Sequence, residues 1–323
     1  MTESTTATPE STPELEGLDL SKPSESLWSD AWKRWRKNKM AMAGGVFLLV
    51  LVIAAIAGPW LLPFSFDQQN LSNAYAAPSW SHWMGTDGLG RDLFARLLMG
   101  ARISLGIGLV ATFVSLLIGL VYGAISGYLG GWVDEVMMRV VDIMYGLPYM
   151  FLVIIIMAIL PDVLGGRGSG QAVSPYQSFL IVFIVLGLFQ WLTMARIVRG
   201  QVLSLKQKEF VEAAEACGAK KSRILFIHIV PNLLGPVIVY STLTVPQVIL
   251  REAFLSFIGL GIQAPLASWG TLASEAMQNM NPLHSNWWLV VFPGLFLALT
   301  LFSLNFVGDG LRDALDPQMR GKI

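Results

Sequence analysis

Charge is scarce in this chain. Only 14 % of its 323 residues are Asp, Glu, Lys or Arg, where an average soluble domain carries roughly 25 %. Hydrophobic residues make up 54 %, and the mean hydropathy is +0.58. Such a chain cannot furnish the polar surface that a soluble protein of this size needs, so an ordinary soluble enzyme and a disordered chain are both excluded. Cysteine is almost absent. Cys217 stands alone, forms no internal disulfide, and reads beside Gly218 as a small packing residue rather than a redox switch. The three histidines, His82, His228 and His284, lie far apart and have no Cys or carboxylate neighbours at metal-ligand spacing. No phosphate loop, H-E-x-x-H or G-x-S-x-G occurs; Lys220-Lys221-Ser222 lacks the Gly-Lys pair and the upstream glycine that such a loop needs. The net charge is zero, which leaves no bulk attraction to nucleic acid.

Long uncharged runs are what the chain has instead. They cover 40–66, 103–133, 143–161, 168–195, 224–250 and 276–308. A helix crossing ~30 Å of hydrocarbon needs about 20 apolar residues, so these predict six membrane spans. Residues 68–86 are too polar for a seventh, and 253–274 are apolar only as far as Ile262, which suits an interfacial or re-entrant piece. With both termini inside, inside segments hold 16 Lys/Arg and outside segments five, so the positive-inside rule places the termini in the cytoplasm. The predicted span centres hold no ionisable group except His228 near an edge. A channel or secondary transporter working alone, or a membrane enzyme, would need such groups, so this chain needs energy from a partner.

Residues 1–30 hold seven acids, one base and 14 Ser, Thr or Pro, and predict a disordered acidic tail. Lys33, Arg34, Arg36, Lys37 and Lys39, interleaved with Trp32 and Trp35, fit a helix at the lipid headgroups before the first span. Residues 31–100 read as that span with an extracytoplasmic loop, 101–310 as the main transmembrane domain, and 311–323 as a cytoplasmic tail. Gly119, Gly123, Gly127 and Gly131 recur every four residues and predict close helix packing, with a pore-lining face as the alternative. Pro148, Pro231, Pro236 and Pro246 should bend helices or mark their ends.

The longest inside connection runs from about Ala195 to Asn232. Leu203 to Ala216 predicts a helix, Gly218 stops it, and Ser222 is placed to cap a second one starting at Arg223. Ala213, Ala214, Ala216 and Ala219 keep the tip slim, and Glu212 and Glu215 add charge around it. Such a surface fits a groove on another protein; an ordinary amphipathic loop is the alternative. Between the first two spans, Gly85, Thr86, Asp87, Gly90, Arg91 and Asp92 read as a structured extracytoplasmic turn, with direct substrate contact as the alternative. There Thr86 or Asp87 caps a short helix and Asp92 pairs with Arg96 at i, i+4. Tyr149, Tyr240 and Gln247 are candidates for a translocation path, with contact to other helices as the alternative.

Glu212-Ala213-Ala214, three residues, Gly218, nine residues, then His228-Ile229-Val230-Pro231 resembles the EAA-x3-G-x9-I-x-L-P signature of ATP-binding-cassette importer permeases. It departs at His228, where the general pattern has an aliphatic residue; a His-x-x-Pro-Asn ending is familiar in the peptide and nickel branch. His82 to Asp92 resembles the GTD-x-x-GRD segment of that branch. SLW-x-DAW near the N-terminus, SFIGLGIQAPLASWG at 256–270 and FVGDGLRDALDP at 306–317 look like the C-type subunits of oligopeptide permeases. The resemblance covers about 25–317. It implies an all-α membrane protein of six spans with the type I importer fold and a coupling helix at about 200–231. It implies no catalytic residue and no bound metal or cofactor in this chain, with ATP and Mg held by two ATPase subunits. Further implied partners are a homologous B-type permease, an extracytoplasmic binding protein, a peptide substrate and the lipid of a bacterial inner membrane. Glu212, Ala213, Ala214 and Gly218 match the coupling positions, with Glu215, His228 and Pro231 beside them. Dipeptide, glutathione and nickel relatives share most of these motifs.

Overall fold

The computed structural model describes residues 27–163, 175–280 and 285–315. The expected tail therefore lies outside the described residues up to 26, as do Arg167, His284 and 316–323. Helix α1, Leu27–Lys37, begins inside the stretch expected to be tail. Its Ala31 is buried and its Trp35 faces inward, while Trp32 stacks on Trp35 at 5.3 Å and stays exposed. Asn38 then caps α2, Lys39–Leu61, by accepting from the backbone of Met40 and Ala41. Val46, Leu49, Val50, Ile53 and Ile56 are exposed on α2, which is how a lipid-facing helix looks with no lipid present.

Helix α3, Leu93–Leu129, starts ten residues before its uncharged run. The predicted boundary is late because Arg96 and Arg102 lie inside the helix. Arg96 is matched by carboxylates, and Arg102 donates to the Ala55 and Ile56 carbonyls at the end of α2. Gly130 and Gly131, both with positive φ, turn the chain into α4, Gly131–Gly146. At Pro148 the chain bends by 78° into α5, Tyr149–Val163. Helix α6, Pro175–Lys206, likewise outruns its uncharged run, because Arg196 and Arg199 pair with Asp142 and Asp134 on α4.

Beyond α6 come α7, Glu209–Ala216, and α8, Lys221–Arg223. A π-helical turn, Ile224–Ile229, leads into α9, Val230–Phe257, with Pro236 and Pro246 inside it. Helix α10, Trp269–Gln278, is separate from α11, Trp288–Leu315. The predicted sixth span at 276–308 is thus corrected: the end of α10 precedes it, and the crossing begins at Trp288. Among the described residues five helices are long and apolar enough to cross a bilayer, and the bent α4–α5 pair makes six if it counts as one crossing.

The glycine row works as expected over three of its four members. A Cβ on Gly119 would lie 2.5 Å from Met194 Cβ, one on Gly123 2.3 Å from the Ala195 carbonyl oxygen, and one on Gly127 2.9 Å from the Arg199 carbonyl oxygen. Only glycine lets α3 and α6 approach so closely. Gly131 is different: it lies past the end of α3 and faces open space.

Buried apolar side chains form three groups. One joins α2, α3, α9, α10 and α11 around Leu97, Ile249 and Trp269. A second joins α3, α5, α6 and α9 around Ile107, Val185 and Leu255. The third, around Val198, Val211, Ile229 and Leu233, seats the α7–α8 hairpin against α3, α6 and α9.

Candidate functional site

The hairpin is built on the ends of two long helices. Lys206 closes α6 by donating to the Tyr128 carbonyl at 2.9 Å. The chain breaks at Gln207–Lys208, so the single helix expected over 203–216 is two. Glu209 and Glu212 occupy the first turn of α7, where the helix dipole favours acids. Val211 is buried and pins α7 to the third apolar group. At the other end the Cys217 amide donates to Ala213, Gly218 to Glu215, and Ala219 to Ala214. Gly218 has φ +73°, so this glycine stop occurs as the sequence predicts. Ser222 caps nothing: it lies within α8, whose N-cap is Lys220 with no side-chain bond.

The wide turn at Ile224–Ile229 ends where Pro231, which has no N–H to donate, enters the first turn of α9. His228 is half-buried, and its carbonyl accepts from the Asn232 amide at 2.6 Å. Glu212, Ala213, Glu215 and Gly218 are exposed; Ala214 is half-buried. Together with Phe210, Cys217 and Phe226, the alanines and Gly218 line an open groove of about 1010 Å³. Phe226 and Ile227 are 56 % and 57 % exposed beside it. This apolar edge lies exposed beside a slim helix that carries Glu212 and Glu215. Phe210, Phe226 and Ile227 escaped the sequence reading, because two of them sit in a run assigned to a span.

At the opposite end, the residues from Gly85 to Asp92 form a buried knot. The Asp87 carboxylate accepts from the amides of Leu89 and Arg91 at 2.9 and 3.0 Å. It also meets Arg91 Nε at 2.6 Å and Arg96 Nη1 at 2.7 Å. Glu275 of α10 faces the same guanidinium groups, 2.9 Å from Arg96 Nη2 and 3.2 Å from Arg91 Nη2. Two acids and two bases balance there, with Arg96 1 % exposed. Two expected roles are corrected. Asp92 caps α3 through the Ala95 amide at 2.8 Å and meets His82 at 2.9 Å rather than Arg96. Thr86 and Asp87 cap no helix: the Thr86 hydroxyl donates to the Asn73 carbonyl and accepts from the Ala76 amide. Trp288 Nε1 donates to the Thr86 carbonyl at 3.2 Å and so ties the knot to α11. Gly90 has φ +70°, and a Cβ there would stand 1.8 Å from the Asn70 carbonyl oxygen.

The expectation of span centres without ionisable groups does not extend to the helix ends, and there such groups occur. Helix α9 continues past Leu250 and carries Arg251 and Glu252. Glu252 is fully buried and accepts from Ser104 at 2.9 Å and Ser256 at 2.7 Å. Tyr149 sits at the start of α5 with its ring edge-on to Phe189 at 5.2 Å and Arg251 5.1 Å from its ring centre. Tyr240 is half-buried and Gln247 exposed, both on α9. Among the described residues no group of three His, Cys, Asp or Glu is placed to hold a metal.

Residues 119–321 match the family described as binding-protein-dependent transport system inner membrane component. Residues 26–78 match the N-terminal transmembrane domain of oligopeptide transport permease C. The oligopeptide transport system permease protein OppC of Bacillus subtilis is 46 % identical over 301 residues, 93 % of this chain and 93 % of that protein. The dipeptide transport system permease protein DppC of the same organism is 46 % identical over 305 residues, 94 % of this chain and 90 % of that protein. Among solved structures, a chain of the MetNI methionine ABC transporter in inward-facing conformations matches with a TM-score of 0.53. It covers 69 % of this chain and 98 % of that one at 17 % identity, a likeness of fold.

Proposed function

The chain belongs to the family of binding-protein-dependent transport system inner membrane components, and on that premise we propose that it is the C-type permease subunit of an oligopeptide importer. Permeases of this family are multi-pass proteins of the bacterial inner membrane and not themselves enzymes. In this reading ATP and Mg are bound by two ATPase subunits, a homologous B-type permease completes the pathway, and an extracytoplasmic binding protein delivers the peptide. Both termini lie in the cytoplasm, and the knot around Asp87 faces outward.

One observation carries the reading. The hairpin with Glu212, Ala213, Ala214 and Gly218 presents an open groove of apolar and basic lining while rooted in α6 and α9, each long enough to run through the bundle. A partner that binds the hairpin differently in its ATP-bound and ATP-free states shifts the spans by that difference in affinity. Glu215, His228 and Pro231 shape the same element. Tyr149, Tyr240 and Gln247 belong to the path in this proposal. A dipeptide substrate is the second reading, favoured by the dipeptide permease relative.

The test uses the complex of this chain with its partner subunits in lipid nanodiscs. Gly218→Pro cannot adopt φ +73°, and Glu212→Arg reverses an exposed charge. Both are expected to leave the permease in the membrane while peptide-stimulated ATP hydrolysis is lost. Undiminished stimulation in both variants defeats the coupling assignment, and purification with no ATPase attached defeats the importer reading. Uptake of peptides of graded length separates the oligopeptide reading from the dipeptide one.

A further inference from the structure

The arginines of the spans differ in what they meet. Arg96 faces Asp87 and Glu275, Arg196 faces Asp142, and Arg199 makes two bonds of 2.6 Å to Asp134. Arg102 is taken up by two helix-end carbonyls. Arg251 meets no carboxylate among the described residues. Its partners are neutral: Nη1 donates to the side-chain oxygen of Gln190, and the guanidinium lies over the Tyr149 ring. The acid next to it in sequence points elsewhere, since Glu252 is occupied by Ser104 and Ser256.

A guanidinium has five N–H donors in a planar fork. Gln190, itself buried, holds one of its nitrogens, and Tyr149 fixes the plane. Besides Gln190 and Tyr149 the guanidinium has no partner among the described residues, and the group is only half-buried. Arg251 is six residues from the end of α9, ~9 Å along its axis at ~1.5 Å per residue. It therefore lies on the half of the span remote from the hairpin. At ~100° per residue, positions 240, 247 and 251 fall within ~40° of one another. Tyr240, Gln247 and Arg251 thus form one polar row along α9. An uncompensated cation and an exposed amide at that depth suit a protein-lined or water-filled path and not lipid.

We propose that Arg251 is an anion-binding residue of the translocation path that takes the C-terminal carboxylate of the passing peptide, with Gln190 and Tyr149 as its positioning residues. The inference rests on the importer reading. Peptides share few groups, and the terminal carboxylate is one that every unmodified peptide carries. The flat fork of an arginine matches a carboxylate with two parallel bonds. One such contact per peptide recognises all of them while selecting no side chain, and neutral supports leave the cation free to release its ligand.

The experiment uses the complete importer in proteoliposomes, with the binding protein saturated by one of two peptides that differ only in a free or an amidated C-terminus. The wild type is expected to take up the free acid about tenfold faster, the scale of one charge-assisted bond. Arg251→Gln should lower uptake of the free acid to the level of the amide and leave the amide unchanged; Arg251→Lys should retain part of the preference. Equal slowing of both peptides by Arg251→Gln, or no change in either, overturns the proposal. Failure of the variant complex to assemble, read by size-exclusion chromatography, also overturns it by placing a partner subunit's carboxylate opposite Arg251. If the wild type takes up neither peptide, the importer reading itself falls; if it takes up both alike, only this inference falls.

Discussion

Gly123→Ala tests a close approach between two helices of the bundle. The new Cβ would stand 2.3 Å from the Ala195 carbonyl oxygen, 2.9 Å from Val198 Cβ and 3.0 Å from the Arg199 nitrogen. Carbon atoms in ordinary contact sit at about 3.5 Å, so α3 and α6 must part by ~1 Å at this point. Two of the three obstacles are backbone, which a rotamer change cannot move. Parting also loosens the contacts that Gly119 makes with Met194 and Gly127 with Val202. Overpacking of this kind costs ~1–3 kcal/mol, and a backbone obstacle puts the cost near the top of that range. Alanine recovers about 1 kcal/mol over glycine in a helix, so the net loss is about 2 kcal/mol. Gly200 on α6 is the control, because nothing lies within 4 Å of its Cβ position. Gly200→Ala should be neutral or stabilising by up to about 1 kcal/mol. Equilibrium unfolding in mixed micelles, followed by circular dichroism, reads both. An unchanged midpoint for Gly123→Ala, or an equal loss for Gly200→Ala, refutes the argument that close approach sets the requirement for glycine.

Arg96→Met leaves Asp87 and the third-exposed Glu275 to share Arg91 alone, and should cost up to ~3 kcal/mol in the same unfolding assay, the low end for breaking a fully buried pair. Gly90→Ala forces a Cβ against the Asn70 carbonyl at φ +70°, so limited proteolysis should cut the segment between α2 and α3 faster than in the wild type. Glu252→Gln keeps an acceptor for one serine and offers the other an NH2 from which its hydroxyl can accept, and should unfold close to the wild type. Glu252→Leu strands both hydroxyls and should lose ~2 kcal/mol or more. Equal midpoints for the Gln and Leu variants would show that the serine bonds contribute nothing.

The spans were legible in outline because hydrocarbon tolerates few charges, and a run of about 20 apolar residues has few other uses. Their ends were not, since a run is bounded by charges and charges enter helices once they are matched. Arg96 sits inside α3 matched by Asp87, nine residues upstream, and by Glu275, 179 residues away, and no local pattern announces the second partner. A similar separation hid Glu252, which accepts from Ser104 across 148 residues. One trace of Glu275 was available: it is the only charged residue between Glu252 and Asp309. In the hairpin, the Gly218 stop was readable from backbone chemistry. The break at Gln207–Lys208 was not, because 203–216 has uniform helix propensity. Tertiary contacts made by Lys206 and Val211 decide it.

The ends of the described chain meet in space. Trp35 of α1 lies against Gly45 and Gly310, Gly310 lies against Ala41, and Gly44 lies against the Ser303 backbone. Helices made early in synthesis are therefore closed by one made later. Until α11 arrives, α2 has a groove of glycines facing lipid and Trp35 has half its socket. A chain stopped short of Trp288 would hold an unfilled seam along its first span. For a quality-control protease, that seam would distinguish an unfinished subunit from one ready to meet its partners.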